Sequence, residues 1–133
     1  MKNTTALQDF VRQKPFLVCV DSDGCAMDTM DIKHIRCFGP CMVAEWGLEA
    51  WQEPVLKRWN EINLYSMTRG INRFKGLVIA LTEIDRRYTP IPGLAELAGW
   101  TARAAELSNG ALEKALPGAK GPALAKALSW SKQ

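Results

Sequence analysis

No run in the sequence approaches the roughly 18 consecutive apolar residues that a transmembrane helix requires, which excludes a membrane-spanning helix. The N-terminal stretch MKNTTALQDFVRQKP has no apolar core of the secretory kind, so export is not expected. Lysine and arginine form no dense cluster. Seventeen of them against 14 Asp+Glu leave a formal net charge of +3, too small and too dispersed for a nucleic-acid footprint. Histidine is nearly missing, with one residue, His34. Cysteines are few (Cys19, Cys25, Cys37 and Cys41), and without an export signal they point to reduced thiols and a cytoplasmic address.

What is present fits one globular unit. A length of 133 residues supports a single core, and 47% hydrophobic with 23% charged residues is too apolar and too balanced for a disordered chain. Residues 5–12 have the pattern of a short helix capped by Thr4 or Thr5 and ended by Pro15. Phe16-Leu17-Val18-Cys19-Val20 follows as a continuous apolar run, the pattern of a strand buried on both faces in a parallel sheet.

Everything beyond that run has helical or loop character. Helices are expected over 30–38 and 41–52, separated by the breaker Gly39-Pro40. Pro54 opens the next helix, with Val55, Trp59, Ile62 and Leu64 or Tyr65 at helical spacing. After Arg69-Gly70, residues Ile71, Phe74, Val78, Leu81 and Ile84 mark one apolar face. A turn at 88–93 precedes an Ala- and Leu-rich helix from Leu94 to Leu107, and an Ala/Lys/Gly/Pro-rich tail with short helices begins at Ser108. A lone buried strand needs neighbours for its backbone groups, and the sequence offers none. Three explanations stand: another chain supplies them, a longer protein does, or the run is no strand.

The chemistry lies directly after this run, in Asp21-Ser22-Asp23-Gly24-Cys25-Ala26-Met27-Asp28-Thr29. Side chains at i and i+2 of an extended segment share a side, so Asp21 and Asp23 can face one pocket, and Gly24 permits a sharp turn. Paired carboxylates are unfavourable unless a proton or cation neutralises them, and Mg²⁺ is an economical partner because it binds one or two carboxylates together with substrate phosphate.

This hhhhDxDGxxxDT pattern resembles the first signature motif of the haloacid dehalogenase-like (HAD) hydrolases. The resemblance implies an α/β family fold: a Rossmann-like core with an inserted helical cap of the C1 type, of which this chain holds a mostly α part with one core strand. Residues 1–29 would form the first core strand and catalytic loop, 30–107 the cap, and 108–133 an Ala-rich tail leading back toward a core outside the sequence. It also implies a Mg²⁺-dependent phosphatase or phosphotransferase acting on a small phosphorylated metabolite. Asp21 would be the nucleophile that forms an aspartyl-phosphate, Asp23 the general acid/base, and both Mg²⁺ ligands. Within the cap, Arg69, Asn72, Arg73 and Lys75 cluster between two helices and are the candidate substrate-binding residues, with a solvated basic linker as the plainer alternative.

Later HAD elements are missing: the Ser/Thr, the phosphate-binding Lys and the acidic pair, each of which follows a strand. Lys114, Lys120 and Lys126 lie in Ala-rich helical surroundings, and Gly118-Ala119-Lys120-Gly121 is not a P-loop. Each absent electrostatic element removes roughly two to four orders of magnitude in rate, so the chain by itself should be nearly inactive. The competing expectation is a non-catalytic helical interaction module with an incidental Asp-rich turn. His34, Cys37 and Cys41 also invite a zinc reading, opposed by Gly39-Pro40 and the lack of a fourth ligand. Five tryptophans (Trp46, Trp51, Trp59, Trp100, Trp130) serve either a core or an uncovered face, and the latter would favour self-association.

Overall fold

The computed structural model describes residues 11 and 13–133. The helix expected over 5–12 lies almost wholly outside the described residues. Met30 starts a helical stretch whose first part, Ile32–Phe38, winds as a π-helix and runs directly into α1 (Gly39–Trp46). A 3₁₀ turn at Glu49–Trp51 leads to α2 (Gln52–Asn60), which continues as a second π-helical segment, Glu61–Tyr65. Then come α3 (Arg73–Arg87), α4 (Leu94–Arg103), α5 (Asn109–Ala115) with a 3₁₀ extension at Leu116–Gly118, and α6 (Ala123–Lys132). The described chain is mostly α.

The core strand is not formed among the described residues. Phe16–Val20 is exposed throughout, with Phe16 86% exposed, and it pairs with no other strand. The apolar run satisfies the composition of a buried strand, but a ladder also needs a neighbouring backbone, and among the described residues only an isolated bridge between Asp23 and Met27 occurs.

Gly39-Pro40 does not break the helix. Both residues sit inside one continuous winding, because the backbone switches register just before the proline: the Gly39 N–H reaches back five residues to the His34 carbonyl. The glycine has a packing role. A Cβ there would lie 2.9 Å from the His34 carbonyl oxygen, 2.9 Å from Leu56 Cδ2 and 3.1 Å from Trp59 Cδ1, so its absence lets α2 cross close to the π-segment.

The sequence spacing places the core as expected for α2 and α3. Val55, Trp59, Ile62 and Leu64 are buried, while Tyr65 is exposed. On α3 the buried face is Phe74, Leu77, Leu81 and Ile84, with Val78 at its margin. α4 ends at Arg103 rather than Leu107, because Ala104 turns extended and Ser108 caps α5 by accepting the Ala111 N–H at 3.2 Å.

Aromatic side chains join these helices. Trp130 of α6 packs edge-on against Trp59 of α2 with ring centroids 5.8 Å apart, and lies against Phe38 at 5.1 Å and Phe74 at 6.2 Å. Each fully buried tryptophan removes about 150–250 Å² from water, an upper bound of roughly 4–6 kcal/mol apiece. The tail is helical, and its Leu112, Leu124, Leu128 and Trp130 belong to the same core cluster as Met42, Trp59 and Phe74.

Candidate functional site

The Asp21–Thr29 loop closes on itself. Ala26 and Met27 donate their backbone N–H groups to the Asp21 and Ser22 carbonyls at 3.2 and 2.9 Å, and Gly24 donates to the Met27 carbonyl at 2.8 Å. Gly24 has φ +75°, a conformation that an L side chain rarely adopts, and a Cβ there would also meet Met30 Cγ at 2.9 Å.

Thr29 and Lys33 grip Asp23 from the start of the following helix. The Thr29 hydroxyl donates to Asp23 Oδ1 at 2.8 Å, and the Lys33 ammonium donates to Oδ2 at 2.5 Å. Helical side chains lean toward the N-terminus of their helix, which aims Lys33 back over the loop. The hydrogen bond from Lys33, then that from Thr29, hold the Asp23 carboxyl below its ordinary value. Asp28 of the DT pair is exposed, and it is Thr29 that supports the loop.

Asp21, Asp23, Lys33, His34, Arg69 and Arg73 line one open cleft of about 630 Å³ between this loop and the helices. Arg69 is set by the second π-segment, donating Nη1 to the Leu64 carbonyl at 2.9 Å. The same stretch leaves the Ile62 carbonyl to side-chain donors, the Thr68 hydroxyl at 2.5 Å and the Ser66 hydroxyl at 3.3 Å. Arg69 Nη2 lies 3.8 Å from the position a Gly24 Cβ would take, so its guanidinium stands against the loop. Arg73 is braced from behind: Nε donates to Ser131 Oγ at 2.7 Å and Nη2 to Asn109 Oδ1 at 3.0 Å, while its guanidinium sits 4.8 Å from the Phe74 ring centroid. Burial lowers its pKa from the usual arginine value.

The other two candidate substrate residues are not in the cleft lining. Asn72 caps α3, its Oδ1 accepting the Phe74 N–H at 2.9 Å and its Nδ2 donating to the Leu107 carbonyl at 3.1 Å. Lys75 is exposed on α3. Lys33 was not foreseen from the sequence. The available signal was its place four residues after Thr29, in the first turn of a helix opening at Met30.

His34 belongs to the cleft wall rather than to a metal site. It is 6% exposed, its ring packs 5.6 Å from Phe38 and 5.7 Å from Trp59, and its buried Nδ1 has no hydrogen-bond partner. Burial, reinforced by Lys33 and Arg69 and opposed by Asp31, lowers its pKa, so the ring is neutral at pH 7. Cys37 is exposed and Cys41 half-buried, both as free thiols. No three His, Cys, Asp or Glu side chains gather into a metal cluster among the described residues, and the zinc reading of His34, Cys37 and Cys41 falls with that.

The donor chemistry bears on Mg²⁺ differently. Asp23 has both carboxylate oxygens engaged by Thr29 and Lys33, while Asp21 has only a weak approach from the Cys25 thiol at 4.0 Å. That set fits an ion held jointly with substrate phosphate and water, through the Asp21 carboxylate, and falls short of a closed all-protein site.

No helix among the described residues is long and apolar enough to cross a membrane. No protein-family model matches the sequence, and comparison with curated proteins and with solved structures finds no match.

Proposed function

We propose that the cleft is a HAD-like phosphoryl site which binds a small phosphate ester and, when its electrostatics are complete, transfers the phosphoryl group through Asp21. The observation that carries this reading is the meeting of Asp21 and Asp23 with Lys33, Arg69 and Arg73 in one cleft. Two carboxylates alone would repel a phosphate dianion, whereas three cations beside them reverse the local balance.

Asp21 is the nucleophile. Its carboxylate attacks phosphorus, the ester P–O bond breaks, and the leaving oxygen takes a proton from the Asp23 carboxyl. Water then attacks the aspartyl-phosphate, Asp23 accepts its proton, and phosphate leaves with Asp21 restored. Asp23 is held ionised by Lys33. It is ready as a base, and serves as an acid only after Lys33 turns to the substrate phosphate and Asp23 takes up the proton that a phosphate monoester monoanion carries into the cleft. A Mg²⁺ held by the Asp21 carboxylate and the Asp23 backbone carbonyl would neutralise charge on the transferring group.

Expected turnover is low, since the family's later lysine and acidic pair have no counterpart in the sequence. The test is Mg²⁺-dependent release of phosphate from p-nitrophenyl phosphate by the chain and by Asp21→Asn. Release that disappears in Asp21→Asn supports the reading. Release equal in both proteins, or no release together with no Mg²⁺-dependent phosphate binding that Asp21→Asn weakens, overturns it in favour of a non-catalytic helical interaction module, the reading favoured by the exposed apolar segment Phe16–Val20.

A further inference from the structure

We infer that the cleft takes a phosphate ester carrying a second anionic group, with the ester phosphate at the Asp21–Lys33 end and the second anion on Arg69 and Arg73. This inference rests on the phosphoryl-site reading above and adds the substrate class.

The argument is one of charge and donors. Lys33 is committed to Asp23 in an ion pair. Neither Arg69 nor Arg73 has a carboxylate partner among the described residues, where the ion pairs are Lys33–Asp23, Arg58–Glu61, Arg58–Glu83 and Lys132–Glu113. The two guanidiniums are nevertheless fixed in place. Arg69 is anchored by one nitrogen on the Leu64 carbonyl, and Arg73 by two on Ser131 and Asn109. These neutral partners orient the side chains without cancelling their charge.

Arg73 is also partly desolvated, which lowers its pKa and marks a cation lacking compensation. Two pre-oriented, uncompensated guanidiniums lining one cleft suit a carboxylate or phosphate, because each keeps N–H donors beyond those spent on its anchors for charge-assisted bonds. A simple monoester would engage the loop end of the cleft and leave this pair unmatched.

Isothermal titration in Mg²⁺-containing buffer at pH 7.5 tests this with three probes of one chain length: propyl phosphate, 3-carboxypropyl phosphate and propane-1,3-diyl bisphosphate. Both doubly anionic probes should bind about 10-fold or more tightly than propyl phosphate, the scale of one charge-assisted pair. The preference between them identifies carboxylate or phosphate as the second group. Arg69→Gln should erase the gain, weakening the doubly anionic probes about 10-fold more than propyl phosphate. Arg69→Lys should keep part of it, and Lys75→Gln, outside the cleft, should keep all of it. Thermal melting of each variant confirms that it is folded.

Equal affinity for all three probes, or a gain that persists in Arg69→Gln, overturns the second-anion inference and leaves the phosphoryl-site reading standing. Failure of propyl phosphate to bind, together with indifference to Asp21→Asn, removes the underlying reading and the inference with it.

Discussion

Trp130 donates its indole N–H to the Phe38 carbonyl at 2.9 Å, joining the last helix to the end of the first π-segment. Trp130 is fully buried and touches Phe38, Trp59 and Phe74, so the donor side of the bond is shielded from water. Trp130→Phe should cost about 1–3 kcal/mol from the unmet acceptor and lost volume, and Trp130→Ala about 3–5 kcal/mol. Urea denaturation read by the remaining tryptophans measures both. A Trp130→Phe protein as stable as the parent would show that the bond contributes nothing.

Gly39→Ala should destabilise the fold by about 1–3 kcal/mol, the range for overpacking a close helix crossing. Its new methyl would meet a backbone carbonyl and two side chains at 2.9–3.1 Å. Circular dichroism melts give the answer directly, and an unchanged midpoint would mean that α2 can back away freely.

Stability should fall as pH drops from 7 toward 5.5, through His34. Its pKa in the unfolded chain is near 6.5 and is lowered in the fold by burial first and by Lys33 and Arg69 second. Between those values the unfolded chain binds the extra proton, so the contribution is complete above 6.5 and is lost on acidification toward the folded value. Asp23 and Glu83, lowered from 3.8 and 4.5 chiefly by Lys33 and Arg58, act in a more acidic window. Because His34 is the chain's single histidine, His34→Gln should flatten the denaturation midpoint between pH 5.5 and 7. A slope that survives the substitution would assign it elsewhere.

Asn72→Ala should lose about 0.5–2 kcal/mol of stability, the usual cost of an N-cap, without altering phosphate affinity. Its amide is spent on the Phe74 N–H and the Leu107 carbonyl. Titration of propyl phosphate against a melting curve separates the two effects, and weakened binding in a protein of unchanged stability would return Asn72 to the cleft.

The helix faces could be read in advance where one period governs. Val55, Trp59 and Ile62, and Phe74, Leu81 and Ile84, are buried as their spacing requires. Gly39-Pro40 has the composition of a breaker, but a proline is tolerated in the first turn of a helix, and here it opens α1 directly after a π-turn closed by the Gly39 N–H on the His34 carbonyl. Phe16–Val20 has the apolarity of a buried strand, yet apolarity reports only a tendency to be buried; the lack of neighbouring strands, legible in the sequence, matches its being unpaired among the described residues. In the site, Asp21 and Asp23 were visible from their motif, and Arg69 and Arg73 from their place beside a glycine between helices. Lys33 was hidden because its direction follows from where the helix begins. Asn72 did carry a signal, since an asparagine just before an apolar period is a cap.

Arg73 reaches Ser131, and Ser131 donates in turn to Asn109, so the rear wall of the cleft is bolted to the last helix. Occupancy should therefore be felt at a distance. A ligand that holds Arg73 still also slows the opening of α6, and the backbone amides of Ala127–Trp130 should exchange with solvent deuterium more slowly when the cleft is filled. The far end of the chain then becomes a gauge of what happens beside Asp21.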